Sequence, residues 1–185
     1  MKDLLIKRRS IRKYTDTPIE SEKVEQLIRA GLLSPTSQNR KAWEFIIVDD
    51  KEALGKLSQA KPGAQALKGA TLGIVVLADP QRSDVWVEDA SIATILLQLT
   101  AQSLGLGSCW IQIRERNYKE GITAEHYVRE VLGIPESLKV ESIVSLGYPA
   151  ETRPQHTEDE LLKDKIHWNV FGRSSQHGLH ANEIV

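Results

Sequence analysis

The residues whose types and spacing most clearly indicate chemistry form a basic cluster near the start of the sequence. Residues 8–12, here called the basic segment, are Arg-Arg-Ser-Ile-Arg, so three guanidinium groups and a hydroxyl fall within five positions. A guanidinium group stays charged and matches phosphate oxygens in pairs. Three such groups repel one another unless an anion lies between them, and a phosphate carries about −1.5 to −2 charges. The basic segment therefore indicates a phosphate site, although a solvated face at the end of a short helix would have the same composition.

Two other stretches could bind part of the same ligand. Residues 34–39, the 34–39 loop, are Ser-Pro-Thr-Ser-Gln-Asn and offer hydroxyls, amides and free backbone N–H groups to an anion or a heterocycle edge. A plain turn with a helix cap is the alternative interpretation. Residues 105–110 are Gly-Leu-Gly-Ser-Cys-Trp, where glycine would let a flat ligand approach the backbone. They could equally be a helix C-cap before a strand. A GxGxxG dinucleotide loop follows a strand and precedes a helix, so the reverse order here excludes that loop.

The remaining reactive residues give weaker patterns. Lys165 and His167 lie two positions apart and share a side of an extended chain, so they could add positive charge to a phosphate site or simply lie in a solvated tail. The histidines have no metal-ligand spacing with cysteine or carboxylates, so no metal site is predicted. Cys109 has no histidine nearby in sequence, which argues against a cysteine nucleophile. Glu88 and Asp89 are predicted to complement the dipole of a long helix.

The composition of the chain excludes several classes of protein. The chain has 185 residues, 26% of them charged, and a net charge of −1, which argues against a general nucleic-acid surface. A single cysteine excludes an internal disulfide framework and permits a reducing compartment. Neither a signal peptide nor a membrane-spanning apolar run is visible, so we expect a cytoplasmic protein.

The elements that must position these groups follow from hydrophobic patterning. We predict helices after an N-cap at Asp3, from Ser21 to a stop at Ser34-Pro35, and over 52–59, 84–104 and 125–132. We predict strands over 43–48, 71–78, 108–113 and 140–146, of which 71–78 is apolar on both faces and therefore central. The 84–104 helix is apolar nearly all round, which places it in a core or an interface. From Ala150 the chain is too polar to fold alone, so it frays or wraps a partner subunit.

Taken in order, these motifs resemble the nitroreductase family of flavin enzymes. The basic segment with Tyr14 is similar to the family's N-terminal phosphate motif, and residues 35–39 with the Trp-Glu-Phe at 43–45 are similar to its P-[ST]-S-x-N…W-x-F loop. Residues 88–93 with 104–110 resemble its central helix and following turn, and 147–149 its last core strand. The resemblance predicts one FMN-binding domain over 1–172 and a polar tail over 173–185. Many members have N-x-Q-P-W where this chain has Asn-Arg-Lys-Ala-Trp at 39–43.

The resemblance implies an α+β fold, with a mixed, mainly antiparallel sheet flanked by helices, in an intertwined homodimer with FMN at the interface. It also implies that the other subunit contributes the 34–39 loop to each site. The FMN-binding residues carried over from the family are Arg8, Arg9, Ser10, Arg12, Pro35, Thr36, Ser37, Asn39, Gly107, Ser108, Lys165 and His167.

The activity implied by the resemblance is a ping-pong transfer of two electrons. NADH or NADPH reduces the flavin and leaves, and an oxidised small molecule of the nitroaromatic or quinone type then takes the electrons. No protein side chain is expected to be catalytic, although Arg12 is the candidate for stabilising reduced flavin. The alternatives are a specialised flavin enzyme such as a dehalogenase or flavin-fragmenting enzyme, a non-catalytic flavin-binding or storage protein, and a nucleotide-binding protein without flavin.

Overall fold

The computed structural model describes residues 1–174 and divides the chain into two compact units, Met1–Gln155 and His156–Val185. The predicted boundary at residue 172 stays a prediction. Residues 175–185 of the predicted tail, with His177 and His180, lie outside the described residues.

The first unit alternates helices with strands. Its helices are α1 (Lys2–Lys7), α2 (Ser21–Leu32), α3 (Lys51–Leu57), α4 (Trp86–Ser103) and α5 (Ala124–Leu132), with short 3-10 helices at Ser37–Asn39 and Gln65–Gly69. Its strands are β1 (Trp43–Val48), β2 (Leu72–Ala78), β3 (Gly107–Gln112), β4 (Asn117–Lys119), β5 (Ile122–Thr123) and β6 (Lys139–Gly147).

The main sheet has the strand order β1-β2-β6-β3, and every neighbouring pair in it is antiparallel. An isolated bridge between Ser10 and Ser108 adds a parallel pairing at the β3 edge, and β4 pairs with β5 in a separate hairpin. The α+β class with a mainly antiparallel sheet is therefore confirmed. The central position of β2 is confirmed as well, because all seven of its residues are buried.

The sheet separates two apolar clusters. Successive side chains of a strand point to opposite faces, so Val75 and Leu77 of β2 pack with α3 and α5, whereas Ile74 and Val76 pack with α2 and α4. Helix α4 completes the second cluster, yet Ile92 is 39% exposed on its outer side. The chain alone thus leaves part of this apolar helix uncovered.

Two details differ from the expectations drawn from sequence. The N-cap at Asp3 is wrong: α1 begins at Lys2 after Met1, and Asp3 lies in the first turn, where its charge still suits the helix dipole. The β4–β5 hairpin was not predicted, because strands of three and two residues are too short to show an alternating pattern. None of the helices described over residues 1–174 is long and apolar enough to cross a membrane.

The second unit has little regular structure in its described part, residues 156–174. It contains 3-10 helices at Glu158–Glu160 and Lys163–Lys165. Its large apolar side chains are exposed: Leu161, Leu162, Ile166, Trp168, Val170 and Phe171. That the tail wraps a partner subunit stays a prediction.

Candidate functional site

The basic segment is held against the ends of β3 and β6 by a close fit to two glycines. Ile11 donates its backbone N–H to the Ser108 carbonyl at 2.9 Å. A Cβ added at Gly107 would lie 2.7 Å from Ile11 Cγ2, and one added at Gly147 would lie 2.9 Å from Tyr14 Cβ. Gly107 and Gly147 are partners in the sheet register, so together they leave the surface flat where the segment crosses it. Gly107 was predicted from its motif, and the structure supplies a packing reason for it.

Tyr14 anchors the C-terminal side of the same segment. Its hydroxyl donates to the Ile11 carbonyl at 2.6 Å and lies 2.9 Å from Ser145 Oγ. Burial raises the pKa of the Tyr14 phenol, so the group is neutral at any ordinary pH. The tyrosine therefore fixes the backbone of the segment and contributes no charge to it.

Two of the three arginine side chains in the basic segment are free to bind a ligand. Within Met1–Gln155 the guanidinium groups of Arg8 and Arg12 have no hydrogen-bond or ion-pair partner, whereas Arg9 donates to the carbonyl of Pro154. Burial raises the pKa of the Cys109 thiol, while the positive charges of Arg12, Lys61 and Arg8 oppose that rise. The positive charges of Arg12, Lys61 and Arg8 thus all act on Cys109, near the start of β3.

Lys61 belongs to this cluster and was not identified from sequence. It lies between α3 and the 3-10 helix at Gln65–Gly69, about fifty positions from the basic segment in sequence. The only feature of the sequence that could have indicated Lys61 is its position in a Lys-Pro-Gly turn, where its charge lies in a short loop. Such a turn does not by itself indicate which strand end the lysine approaches.

A carboxylate near the cluster does not neutralise these side chains. Glu151 Oε1 accepts the backbone N–H groups of Arg12 and Lys13 at 2.6 and 3.2 Å, and its Oε2 pairs with Arg153 at 3.0 Å. The hydrogen bond from the Arg12 backbone is the main reason why the pKa of Glu151 lies below its ordinary value. The acid thus holds the backbone of the segment and leaves the Arg8 and Arg12 guanidinium groups available to an anion.

The 34–39 loop is held by a buried carboxylate. Asp89, in the first turn of α4 and 3% exposed, accepts the Ser37 backbone N–H at 2.9 Å and the Ser83 hydroxyl at 3.2 Å. Thr36 Oγ1 accepts the Lys41 backbone N–H at 3.0 Å. Asp89, predicted only to complement the helix dipole, therefore also anchors the loop.

The backbone is strained at the end of the 34–39 loop and just after it. Gln38, Asn39 and Lys41 have φ values of 50°, 56° and 49°, in the left-handed region that non-glycine residues rarely adopt. Arg40 pairs with Asp84 and holds the pKa of that carboxyl below its ordinary value. Ala42 is fully buried. Of the two residues that stand where many members have Gln-Pro, Lys41 thus has a left-handed backbone and Ala42 is buried, while the ion pair is made by Arg40 before them.

The structure brings some predicted residues together and separates others. Arg8, Ser10, Arg12, Gly107 and Ser108 meet at one end of β3. Leu106, just before β3, donates to the Ala101 carbonyl near the end of α4, whereas the loop is bound to Asp89 at the other end. Twelve helical residues separate Asp89 from Ala101, which is about 18 Å along the helix axis. Lys165 and His167 are exposed in the second unit, and their place in a site stays a prediction.

A cavity of about 560 Å³ lies elsewhere in the first unit, between the start of α2, the end of β1 and the start of β2. Its lining includes Asp16, Ile19, Val24, Lys51 and Thr71. None of the residues predicted to bind a cofactor lines this cavity, so it is separate from the candidate site.

Comparisons with known proteins agree with the resemblance noted above. The model of the family described as "Nitroreductase family" matches residues 5–65 and 59–148. The solved structure of an FMN-dependent nitroreductase from Clostridium difficile R20291 is 48% identical, with a TM-score of 0.91 over 92% of this chain and 100% of that chain.

Curated relatives extend over most of the chain as well. A protein of Archaeoglobus fulgidus proposed to be an NADH dehydrogenase/NAD(P)H nitroreductase is 41% identical over 89% of this chain and 94% of its own length. The FMN reductase [NAD(P)H] of Bacillus subtilis is 30% identical over 95% of this chain and 80% of its own length.

Proposed function

Because this chain belongs to the nitroreductase family, we propose that it is an NAD(P)H-dependent flavin oxidoreductase that binds FMN. The observation that carries the proposal is that the guanidinium groups of Arg8 and Arg12 have no partner within Met1–Gln155, on a segment whose backbone is fixed by Ile11 and Tyr14. Positioned cations without a partner are suited to a ligand that brings its own negative charge.

The residues present fit the terminal phosphate of FMN. In this proposal Arg8 and Lys61 supply positive charge to the phosphate, and the Ser10 hydroxyl supplies a hydrogen bond. The sequence has no dinucleotide-binding loop for the second phosphate of FAD. A single terminal phosphate, as in FMN, is therefore the better match.

When bound, FMN supplies the acceptor and donor of two electrons in a ping-pong exchange between NAD(P)H and an oxidised small molecule. The side chains bind and orient, and none forms a covalent bond. Arg12 adds a permanent positive charge that favours the anionic, reduced form of the cofactor. Nitroaromatics and quinones are the proposed class of acceptor.

We propose further that each site is shared between two chains of a homodimer. Asp89, which holds the 34–39 loop, lies about 18 Å along α4 from Ala101, beside the turn that leads into β3, and the proposal therefore takes the two regions of one site from different chains. A two-fold dimer then has two identical sites. The exposed apolar residues Ile92 and Ile95 on α4 offer a surface for that association.

The first test is the cofactor of the purified protein. We expect it to be yellow, to release FMN on denaturation and to lose its flavin absorption when NADH or NADPH is added without oxygen. Release of mainly FAD would contradict the proposed phosphate site. Flavin that NADH and NADPH both fail to reduce would indicate a storage protein.

Complementation tests the shared site. One variant carries Arg8→Ala and Arg12→Ala, and the other carries Ser37→Ala and Asn39→Ala, whose side chains do not anchor the loop. Each variant alone should hold FMN poorly. When an equal mixture is unfolded and refolded, about half of the dimers are mixed, and one site of each mixed dimer is intact, so about a quarter of all sites should bind FMN. No recovery in a mixture shown to contain mixed dimers means that each chain builds its own site.

A further inference from the structure

Glu141 is a carboxylic acid in an unusual position, at an irregularity in the centre of the sheet. In the register of β2 and β6, Val76 pairs with Ser142 and Leu77 pairs with Val140, so Glu141 is the extra residue of a β-bulge. Its carbonyl accepts the backbone N–H groups of Ile113 and Arg114, both at 3.1 Å. The residue is only 3% exposed. A bulge re-aims a side chain, and here it directs a carboxyl into the protein.

This carboxyl ends a chain of side-chain hydrogen bonds along β3. The Trp110 indole N–H donates to Gln112 Oε1 at 2.9 Å. Because an indole can only donate, the orientation of the Gln112 amide is determined. The Gln112 Nε2 then donates to the Arg114 carbonyl at 3.2 Å and to Glu141 Oε1 at 3.3 Å. The second carboxyl oxygen, Oε2, is buried without a hydrogen-bond partner in the described part of the chain.

The surroundings of Glu141 favour its protonated form. Burial is the main reason why its pKa is raised, and the negative charges of Glu115 and Glu88 add to that rise. The hydrogen bond from Gln112 and the positive charge of Arg114 oppose it. A buried carboxylate with one weak donor and an unsatisfied oxygen is costly, so ionisation should force the network to rearrange or admit water.

The network reaches the strand that borders the candidate site. Side chains two positions apart share a strand face, so Trp110 and Gln112 follow Ser108 along one face of β3. Trp110 and Gln112 are partly exposed. The orientation of both polar groups on this face therefore depends on the state of a group buried one strand away.

We propose that Glu141 is a proton-dependent positioning residue. Its neutral carboxyl holds the Gln112 amide, and through it the Trp110 indole, in one arrangement on the face of β3 that begins with Ser108. When the proton passes to water, the carboxylate becomes a stronger acceptor for that amide and its buried Oε2 needs a donor, so the arrangement on this face of β3 changes. The inference is independent of the proposed function, because it requires neither FMN nor turnover.

The indole N–H signal of Trp110 in the NMR spectrum of the full-length chain tests the inference, with the signal assigned from Trp110→Phe. In the wild-type protein it should move or disappear as the pH rises from about 4 to about 9, with a midpoint above the ordinary glutamate value of about 4.3. Glu141→Gln keeps an oxygen for the Gln112 amide but no proton to lose, so its signal should stay near the acid-form position throughout. Glu115→Gln is the matched control and should keep the titration.

A second variant keeps the test decisive if Glu141→Gln does not fold. Gln112→Leu removes the link while Glu141 remains, so the Trp110 signal should differ from wild type and no longer respond to pH. A wild-type signal that does not move over the whole range overturns the inference. An unchanged titration in Glu141→Gln or Gln112→Leu overturns it as well, since the proton would then reside on another group.

Discussion

The basic segment and the 34–39 loop both carry predicted ligand-binding residues, but opposite means hold them in place. The basic segment is fixed through its backbone and apolar packing, by Ile11 against Gly107 and by Tyr14, and within Met1–Gln155 two of its arginine side chains have no partner. The loop is fixed through a polar anchor, Asp89, and its backbone is strained at Gln38.

This contrast indicates how each region can bind. A segment fixed by packing and by its backbone can keep the Arg8 and Arg12 side chains ready for an anion, because these two side chains do not hold the segment in place. A loop held by a buried carboxylate presents its backbone and small polar side chains in one conformation, because hydrogen bonds compensate for the unfavourable dihedral angles. We therefore expect mutation of the Arg8 or Arg12 side chain to weaken ligand binding with little change in stability. Mutation of the residue that anchors the loop should reduce both.

The largest effect is expected at the polar anchor. Asp89→Ala leaves the Ser37 N–H and the Ser83 hydroxyl without their acceptor, and we expect the free energy of unfolding to fall by about 3 kcal/mol, since hydrogen bonds to charged groups contribute about 1.5–3 kcal/mol each. Denaturant unfolding of the apoprotein measures this. Asp84→Ala is the matched control, because Asp84 also contacts the loop, through Arg40, but is exposed, and its loss should be much smaller. Equal losses of unfolding free energy in the two variants would contradict the expectation that burial makes Asp89 the more important anchor.

A smaller effect is expected where the basic segment crosses the sheet. Gly107→Ala places a Cβ against Ile11, so the segment must shift, and overpacking of this kind costs about 1–3 kcal/mol. FMN retention should fall with stability, because the shift displaces Arg8 and Arg12. Gly55→Ala is the control: nothing lies within 4 Å of its added Cβ, and inside α3 it should stabilise by up to about 1 kcal/mol. Wild-type stability in Gly107→Ala would refute the close fit.

The smallest effect on stability is expected at the free side chains. Arg8→Ala removes a guanidinium group without a partner in Met1–Gln155, so the free energy of unfolding of the apoprotein should change by less than about 0.5 kcal/mol. FMN affinity should nevertheless fall about ten- to hundredfold, the equivalent of a charge-assisted hydrogen bond. Titration of apoprotein with FMN measures the affinity, with the exposed Arg116→Ala as control. An unchanged affinity would exclude Arg8 from the site.

The elements and the candidate residues differ in how far sequence could predict them. Trp43–Val48 was predicted with its observed bounds, and β2 within one residue, because each is a mainly apolar run bounded by turn residues or polar positions. The start of α1 was wrong, because one turn of helix near a chain end has little periodicity to locate it. The basic segment and the loop were found because their reactive residues are consecutive.

Other contributors to the two regions could not be found in this way. Asp89 and Ser37 are 52 positions apart, and an acid at a helix N-terminus already has a local explanation. Lys61 and Cys109 approach each other only through the packing of a loop against a strand end. Glu141 is an ordinary surface residue by composition, and only the bulge turns its side chain inward.

The sequence by itself therefore determined the class of the fold, the family and the presence of a basic cluster, since these depend on local periodicity and on motifs of neighbouring residues. Only the tertiary structure decided which groups meet. It left Arg8 and Arg12 free, committed Arg9 to a carbonyl, used Asp89 as an anchor and placed the loop at the far end of α4 from the basic segment. The reason is physical: contacts between distant residues depend on strand order, register and packing, and no short stretch of chain encodes these.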